Sequence, residues 1–276
     1  MNLDEHEHRH YWTQCMEDAY AFMERMLVYP VMENREGLAS IGQAALENGV
    51  RIDLPSGLKM GRYPRDFRVR HSLVRPLLNA AEDFLRQAWV LRVEDAFRDI
   101  DVQMRGARSE RIFQTVYDMA RWECGGGEPT AELILRRLSV YTAITPKFAN
   151  HTAGSAVDVG VTDMNGYPVD LGGTYPELSR TTPMASPFVS NTVRRNRETL
   201  CHILKNHGFH PYPFEFWHFS SGDADAAIAT GATAPAHFGP VRAVGSSGQV
   251  VPVDDPLMPL VCLGDIARHL ASAAAP

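Results

Sequence analysis

Two short segments of the chain contain the residue types of a catalytic zinc site. His151 and Asp158 offer a nitrogen and an oxygen ligand within residues 150–159. His218 ends a second segment that is rich in aromatic residues, and Glu215 lies three residues before it. Zinc in hydrolases typically takes three protein ligands and leaves a fourth position for water. Because a carboxylate beside that water can accept its proton, these four residues predict a hydrolytic zinc centre.

The spacing of these residues indicates how the chain must bend to bring them together. His151 and Asp158 are seven positions apart, and an odd interval places two side chains on opposite faces of a straight strand. Small residues occupy 152–155, and residues 156–161 have the pattern of a short buried strand. We therefore expect His151 in a loop or strand end that folds back beside Asp158. The aromatic residues around Glu215 favour a bent strand there over a helix, because two prolines precede it.

Each candidate residue also has an ordinary structural interpretation. A single buried histidine is more often a hydrogen-bonded core residue than a metal ligand. Glu215 and His218 are compatible with the polar edge of an apolar strand. Asp158 is harder to explain in this way, because a carboxylate in a buried strand needs a partner. The set as a whole favours the metal site.

Residues 148–223 resemble the zinc D-alanyl-D-alanine dipeptidases of the VanX type, and more broadly the D-Ala-D-Ala metallopeptidases related to the Hedgehog fold. The family pattern His-x-x-Gly-x-Ala-x-Asp is matched by His151, Gly154, Ala156 and Asp158. The later family pattern Glu-x-x-His, usually with a tryptophan before the histidine, is matched by Glu215, Trp217 and His218. Upstream, a segment similar to the family's Asp-x-Tyr-Arg contains Asp95, Phe97 and Arg98.

The resemblance implies a cofactor and a role for each matched residue. It implies Zn²⁺ held by His151, Asp158 and His218, with Glu215 as the general base. Arg98 would stabilise the oxyanion that forms when the carbonyl is attacked. The residues predicted to contact the substrate or to orient its neighbours are Glu177, Asp95 and Trp217.

One departure from the family pattern concerns the substrate. In the dipeptidases, a segment after the aspartate ligand reads Asp-Met-Gly-Thr-x-Phe-Asp, and its last aspartate receives the free amino group of the dipeptide. Residues 170–176 correspond to that segment here, and Pro176 holds the place of the aspartate. Glu177 would replace it only by a shift of one residue. The default substrate is therefore a D-Ala-D-Ala-like dipeptide, and an N-blocked or longer peptide is the close alternative.

Two further functional classes stay open. The first is a non-catalytic zinc-containing binding module, and Glu215 argues against it because a purely structural zinc site needs no base. The second is a structural protein in which the histidines and the aspartate are core residues. A metal analysis separates the second class from the others.

The order of elements predicts an α+β fold. The family adds a small, mainly antiparallel central sheet with flanking helices and the zinc site at the sheet. We expect a single catalytic domain, with an N-terminal helical extension over 1–50, a metallopeptidase core over 55–241 and a C-terminal extension over 242–276.

Periodicity and capping signals place the individual elements. Residues 34–66 are loop-like with short extended pieces, and the basic residues Arg194, Arg195 and Arg197 are expected on a solvated helix face. The predicted helices cover residues 20–28, 73–88, 111–122, 129–138, 191–207 and 263–273, and a strand covers 90–93.

Composition excludes several partner classes. A formal net charge of −6 gives no support for nucleic-acid binding. The four cysteines form no C-x-x-C pair, so neither a disulfide framework nor a thiolate zinc site is expected. The first residues are charged where a signal peptide is apolar, and no run of about 18 apolar residues occurs, so we expect a cytoplasmic protein without a membrane partner. The expected partner is a small peptide or amide substrate, and a homo-oligomer is possible.

Overall fold

The structure is a computed structural model that describes residues 5–59 and 63–273. These residues form two compact units. The helical unit takes its described residues from Met1–Val28, Ile100–Ala149 and Asp255–Pro276, and the sheet unit takes its own from Tyr29–Asp99 and Asn150–Asp254. The single catalytic domain stays a prediction. Some residues of the three predicted parts lie outside the described residues. These are 1–4 in the N-terminal extension, 60–62 in the core and 274–276 in the C-terminal extension.

The described residues of the helical unit form five α-helices and one short 3₁₀ helix. The helices are α1 (Glu5–Val28), α4 (Ile100–Ala107), α5 (Glu110–Glu123), α6 (Ala131–Thr142) and α10 (Leu263–Ala273), and the 3₁₀ helix is Pro146–Phe148. Ser109 and Thr130 cap α5 and α6 by accepting hydrogen bonds from backbone N–H groups in the first turn. No helix among the described residues is long and apolar enough to cross a membrane.

Helix α1 begins well before the predicted start at residue 20. Its buried side chains recur every three or four residues and form one continuous face: Trp12, Met16, Ala19, Met23 and Met26. This face packs against α5 and α6. The charged and histidine-rich first turns do not show apolar periodicity, which is why the sequence alone indicates only the second half of the helix.

Over the part of the sheet unit that the structure describes, the strands form one four-stranded sheet and three two-stranded sheets. The strands are β1 (Leu38–Ser40), β2 (Leu58–Lys59), β3 (Tyr63–Pro64), β4 (Arg68–Arg70), β5 (Trp89–Asp95), β6 (Ala156–Asp163), β7 (His210–Pro211), β8 (His218–Ser220), β9 (Val241–Val244) and β10 (Gln249–Pro252). The larger sheet has the order β5-β6-β8-β7, and every neighbouring pair is antiparallel. The small antiparallel sheets with accompanying helices confirm the predicted fold class at this level.

Five helices accompany these sheets. They are α2 (Ile41–Asn48), α3 (His71–Arg86), α7 (Asn150–Ala153), α8 (Asn191–Asn206) and α9 (Ala224–Thr230). The prediction of a loop over residues 34–66 is wrong for α2, which begins after the cap Ser40 and ends at Gly49 with φ +66°. An eight-residue helix between glycine- and proline-rich flanks has too few turns to show a clear period.

The core of the sheet unit determines the register of the site. Helix α3 packs against β5 and α8, and its buried apolar side chains belong to the same hydrophobic core as those of β6. Val157 and Val159 point into this core, so Asp158 between them points to the other face of the sheet. Because a shift of one residue would bury Asp158 in the apolar core, the packing strongly favours one register.

A buried arginine ties distant segments of the sheet unit together. Arg70 is fully buried and pairs with Glu33 at 2.9 Å between Nη2 and Oε2. It also donates to the carbonyl groups of Ala153, Glu36 and Gly239. Since Ala153 ends α7, this arginine holds the helix that carries His151.

Replacing Arg70 by leucine is expected to destabilise the protein by about 3–5 kcal/mol, because Glu33 and three carbonyl groups would lose their partner. Urea unfolding measures the change. Arg75→Leu on the exposed side of α3 is the matched control and should change stability by less than about 0.5 kcal/mol. Equal unfolding midpoints for the two variants would contradict this role of Arg70.

Candidate metal centre

The register of the larger sheet brings three polar residues into one row. Asp95 at the end of β5 lies opposite Asp158 on β6, and Asp158 lies opposite His218 at the start of β8. His151 comes from α7 and reaches the same place through a tight turn at Gly154, whose φ is +68°. A Cβ atom at Gly154 would lie 2.5 Å from Leu38 Cδ2, so the turn requires glycine.

The three predicted ligands converge on one point. One ligand atom from each of His151, Asp158 and His218 lies within 4.8 Å of the other two, and all three residues are buried. Nε2 of His151 is 3.1 Å from Oδ1 of Asp158, and Nδ1 of His218 is 3.0 Å from the same oxygen. His151 thus lies beside Asp158 as expected, but it is part of a short helix instead of a loop or strand end.

The hydrogen bonding of His151 leaves a lone pair directed at the cluster. Its Nδ1 atom is 2.6 Å from the carbonyl oxygen of Ala96, and because a carbonyl can only accept, Nδ1 must carry the proton. In the neutral ring, the lone pair of Nε2 then faces a carboxylate oxygen. Within the described residues, this buried atom meets no partner in hydrogen-bonding geometry. Two facing lone pairs are repulsive unless a cation lies between them, so these residues fit a metal ion with nitrogen and oxygen ligands.

Burial and the neighbouring charges shift the pKa values of all three residues. Burial and the positive charge of Arg98 lower the pKa of His151 to about 4. Burial also opposes protonation of His218, but the hydrogen bond and charge of Asp158 outweigh it and raise the pKa of His218 to about 9. Burial would raise the pKa of Asp158, yet the two histidines hold it well below its ordinary value. The carboxylate therefore stays ionised, as a metal ligand must.

Arg98 and Asp95 hold the other side of the aspartate. Nη2 of Arg98 donates to Oδ2 of Asp158 at 3.1 Å, and Nε of Arg98 donates to Asp95. Asp95 itself is buried. This arrangement fixes the carboxylate plane of Asp158 and leaves Oδ1 for the two histidines. The structure thus places Asp95 against Arg98, and Arg98 against a candidate ligand.

Glu215 and Trp217 lie on the segment that leads into β8. Oε2 of Glu215 accepts a hydrogen bond from the indole nitrogen of Trp217 at 3.1 Å. Burial raises the pKa of Glu215 to about 7. The bent strand expected here is wrong: Glu215 lies in a turn, where the N–H of His218 donates to its carbonyl, and the strand begins only at His218.

The loop over residues 170–186 contributes an aromatic residue that the sequence analysis missed. Tyr175 packs edge-on against Trp217, with ring centroids 5.6 Å apart. Burial and the charges of Asp158 and Asp95 raise the pKa of its hydroxyl well above the ordinary value, so the phenol lies within the field of the candidate centre. The sequence signal for Tyr175 was its position within residues 170–176, the segment that corresponds to the substrate-binding segment of the dipeptidases. Glu177, two residues later, has an exposed side chain.

The interpretation of the basic run on α8 is wrong for one residue. Arg194 and Arg195 are exposed, as predicted for a solvated face. Arg197 is buried, with 2% of its surface exposed. Its position in the helix is the reason: Val193, Leu200 and Leu204 are buried at the same helical spacing, so Arg197 lies on the inward face.

Comparisons with known proteins support the family resemblance. Residues 130–235 match the Peptidase_M15 family, described as D-ala-D-ala dipeptidase. A D-alanyl-D-alanine dipeptidase of Synechocystis sp. is 28% identical over 171 residues, which cover 50% of this chain and 62% of that protein. A D-alanyl-D-alanine dipeptidase of Escherichia coli is 32% identical over 71 residues, which cover 26% of this chain and 37% of that protein.

The matched regions span less than two thirds of either relative's length. The family match includes the short helix with His151, the strand with Asp158 and the turn with Glu215, because all of these lie within residues 130–235. These matches confirm the resemblance to D-alanyl-D-alanine dipeptidases, and the family match covers residues 130–235.

Proposed function

We propose that this protein is a zinc-dependent hydrolase that cleaves a peptide or amide bond in a small substrate. The observation that carries the proposal is the cluster of His151, Asp158 and His218, with one ligand atom of each within 4.8 Å of the others, near the buried Glu215. Both matched relatives are named D-alanyl-D-alanine dipeptidases, which makes a D-Ala-D-Ala-like dipeptide the default substrate. A nitrogen and oxygen ligand set with only three members is typical of catalytic zinc.

A zinc ion bound by these ligands would polarise the scissile carbonyl and acidify a water molecule. The remaining steps fall to side chains of the protein. Glu215 would accept a proton from the attacking water at a carboxylate oxygen and return it to the leaving amine. Trp217 holds Oε2 of Glu215 by its hydrogen bond and so limits the rotation of the carboxylate.

Arg98 is the cationic group best placed for developing negative charge. Its Nη2 atom is already on Oδ2 of Asp158, so the guanidinium adjoins the metal ligands. Loss of a stabiliser of this kind typically lowers the rate about a hundred- to a thousandfold. Because Arg98 also orients Asp158, its removal would weaken metal binding as well as the chemical step.

The loop that follows β6 favours a substrate without a recognised free amino group. Pro176 replaces the aspartate that binds the ammonium in the dipeptidases, and the side chain of Glu177 is exposed. Asp95 is occupied by its bond to Arg98. A desolvated ammonium group needs a carboxylate partner, so N-blocked or longer peptides are the second candidate substrates.

A non-catalytic zinc module explains the three ligands but not Glu215. A structural zinc site is closed by four protein ligands and has no use for a carboxylate held beside it. The hydrogen bond from Trp217 to Glu215 is instead what a base needs in order to stay oriented. The catalytic interpretation therefore accounts for more of the site.

We expect one zinc ion per chain, held by His151, Asp158 and His218. Metal analysis after dialysis against zinc should give one equivalent for the wild type and a large loss for His151→Ala. His202→Ala removes an exposed histidine of α8 and should keep the full content. Undiminished zinc in His151→Ala would show that the ion binds elsewhere.

Glu215→Gln should separate metal binding from chemistry. The amide keeps the shape of the side chain but cannot accept a proton, so we expect full zinc content and a loss of about 10²–10⁴-fold in kcat. Hydrolysis of D-Ala-D-Ala and of N-acetyl-D-Ala-D-Ala is measured, with Glu198→Gln on the exposed side of α8 as control. A rate close to that of the wild type would exclude Glu215 as the base.

The exposed position of Glu177 predicts that the free amino group contributes little to binding. N-acetyl-D-Ala-D-Ala should be cleaved at least as well as D-Ala-D-Ala, and Glu177→Gln should leave the KM of both unchanged. The alternative result is a strong preference for the free dipeptide that disappears in Glu177→Gln. That pattern would assign ammonium binding to Glu177.

A further inference from the structure

Arg197 connects α8 to the loop that carries Tyr175. Its guanidinium donates to the carbonyl groups of four loop residues: Nε to Leu171 at 2.8 Å, Nη1 to Pro183 at 2.8 Å and to Met184 at 3.4 Å, and Nη2 to Thr181 at 2.7 Å. These carbonyl groups come from both ends of the loop. The buried guanidinium of Arg197 therefore binds both ends of the loop at once.

The same guanidinium also packs on the turn that carries Glu215. Its Cζ atom lies 4.3 Å from the ring centroid of Phe216, the residue after Glu215. The loop and this turn are joined by two backbone hydrogen bonds, from Phe216 N–H to the carbonyl of Thr182 at 3.1 Å and from Met184 N–H to the carbonyl of Pro213 at 3.0 Å. Arg197 thus adjoins both segments where they meet.

Both segments reach the candidate centre through contacts with Trp217. The loop reaches it through Tyr175, which packs on Trp217, and the turn reaches it through Glu215, which Trp217 holds. A displacement of the loop relative to the turn would move Tyr175 across Trp217. Contact between a substrate and these two segments therefore depends on how firmly the loop and the turn are joined.

We infer that Arg197 is a positioning residue that fixes the Tyr175 loop against the Glu215 turn and thereby determines how well the substrate binds. Its kinetic consequence rests on the proposed hydrolase function, whereas its structural consequence does not. The position requires arginine, because a planar group with five donors can serve several carbonyl groups while its face stacks on an aromatic ring. Lysine keeps the charge, but its ammonium group has neither the arrayed N–H donors nor the planar surface of a guanidinium.

Hydrogen exchange of the zinc-loaded protein tests the inference, with Arg197→Lys compared with the exposed neighbour Arg194→Lys. The amides of Met184 and Phe216 should exchange about tenfold faster or more in Arg197→Lys, because a lost bond from a charged donor increases local opening by at least that factor. The β6 core amides and the zinc content should be unchanged. Arg194→Lys should match the wild type.

Steady-state kinetics with D-Ala-D-Ala and N-acetyl-D-Ala-D-Ala provide the functional measurement. Arg197→Lys should raise KM about tenfold and lower kcat less, because Glu215 keeps its bond to Trp217. If the wild type cleaves neither dipeptide, the proposed substrate class fails while the exchange result still decides the role of Arg197.

A uniform increase in exchange that includes the β6 core would show a merely global destabilisation and overturn the inference. Exchange at Met184 and Phe216 equal to that of the wild type would overturn it as well. If Arg197→Lys does not fold, Phe216→Leu gives the decision. It removes the aromatic ring that lies 4.3 Å from Cζ of Arg197, so this variant should loosen the same two amides selectively.

Discussion

The carboxylate of Asp158 is the constraint on which the site depends. It is almost fully buried, and a buried carboxylate is tolerated only with partners for both oxygens. Oδ2 accepts from Arg98, and Oδ1 faces the two histidines. Each partner comes from a different part of the chain, so the segment after β5, the short helix α7 and strand β8 must all meet at β6.

The polar network behind the candidate ligands shows how those elements are kept together. Asp223 accepts hydrogen bonds from Ser155 at 2.6 Å and Ser220 at 2.9 Å, which lie between the first two candidate ligands and just after the third. Asn150, the neighbour of His151, donates to Asp225 at 3.1 Å. Both aspartates belong to the start of α9, which thereby connects the segments that carry the candidate ligands.

Buried arginines perform the corresponding task around the site. Arg70 binds the end of α7 on one side, and Arg197 binds the loop of Tyr175 on the other. Both use several backbone carbonyl groups, which a compact lysine ammonium cannot serve at once. The apolar core sets the register of the strands, and these two cations set the position of the loops beside them.

The sequence by itself predicted the residues of the candidate centre and determined the elements with clear periodicity. The candidate ligand types, the neighbouring glutamate and helices such as α3 follow from local spacing, because periodicity and short motifs are properties of adjacent residues. The tertiary structure decided what depends on distant segments. It placed Arg98 beside Asp158 and Tyr175 against Trp217. It also buried Arg197, which the local charge pattern predicts to be exposed to solvent. The same limit applies to the helical unit, whose parts come from three separated stretches of chain. Burial is a property of the folded neighbourhood, so no local pattern of charges could reveal it.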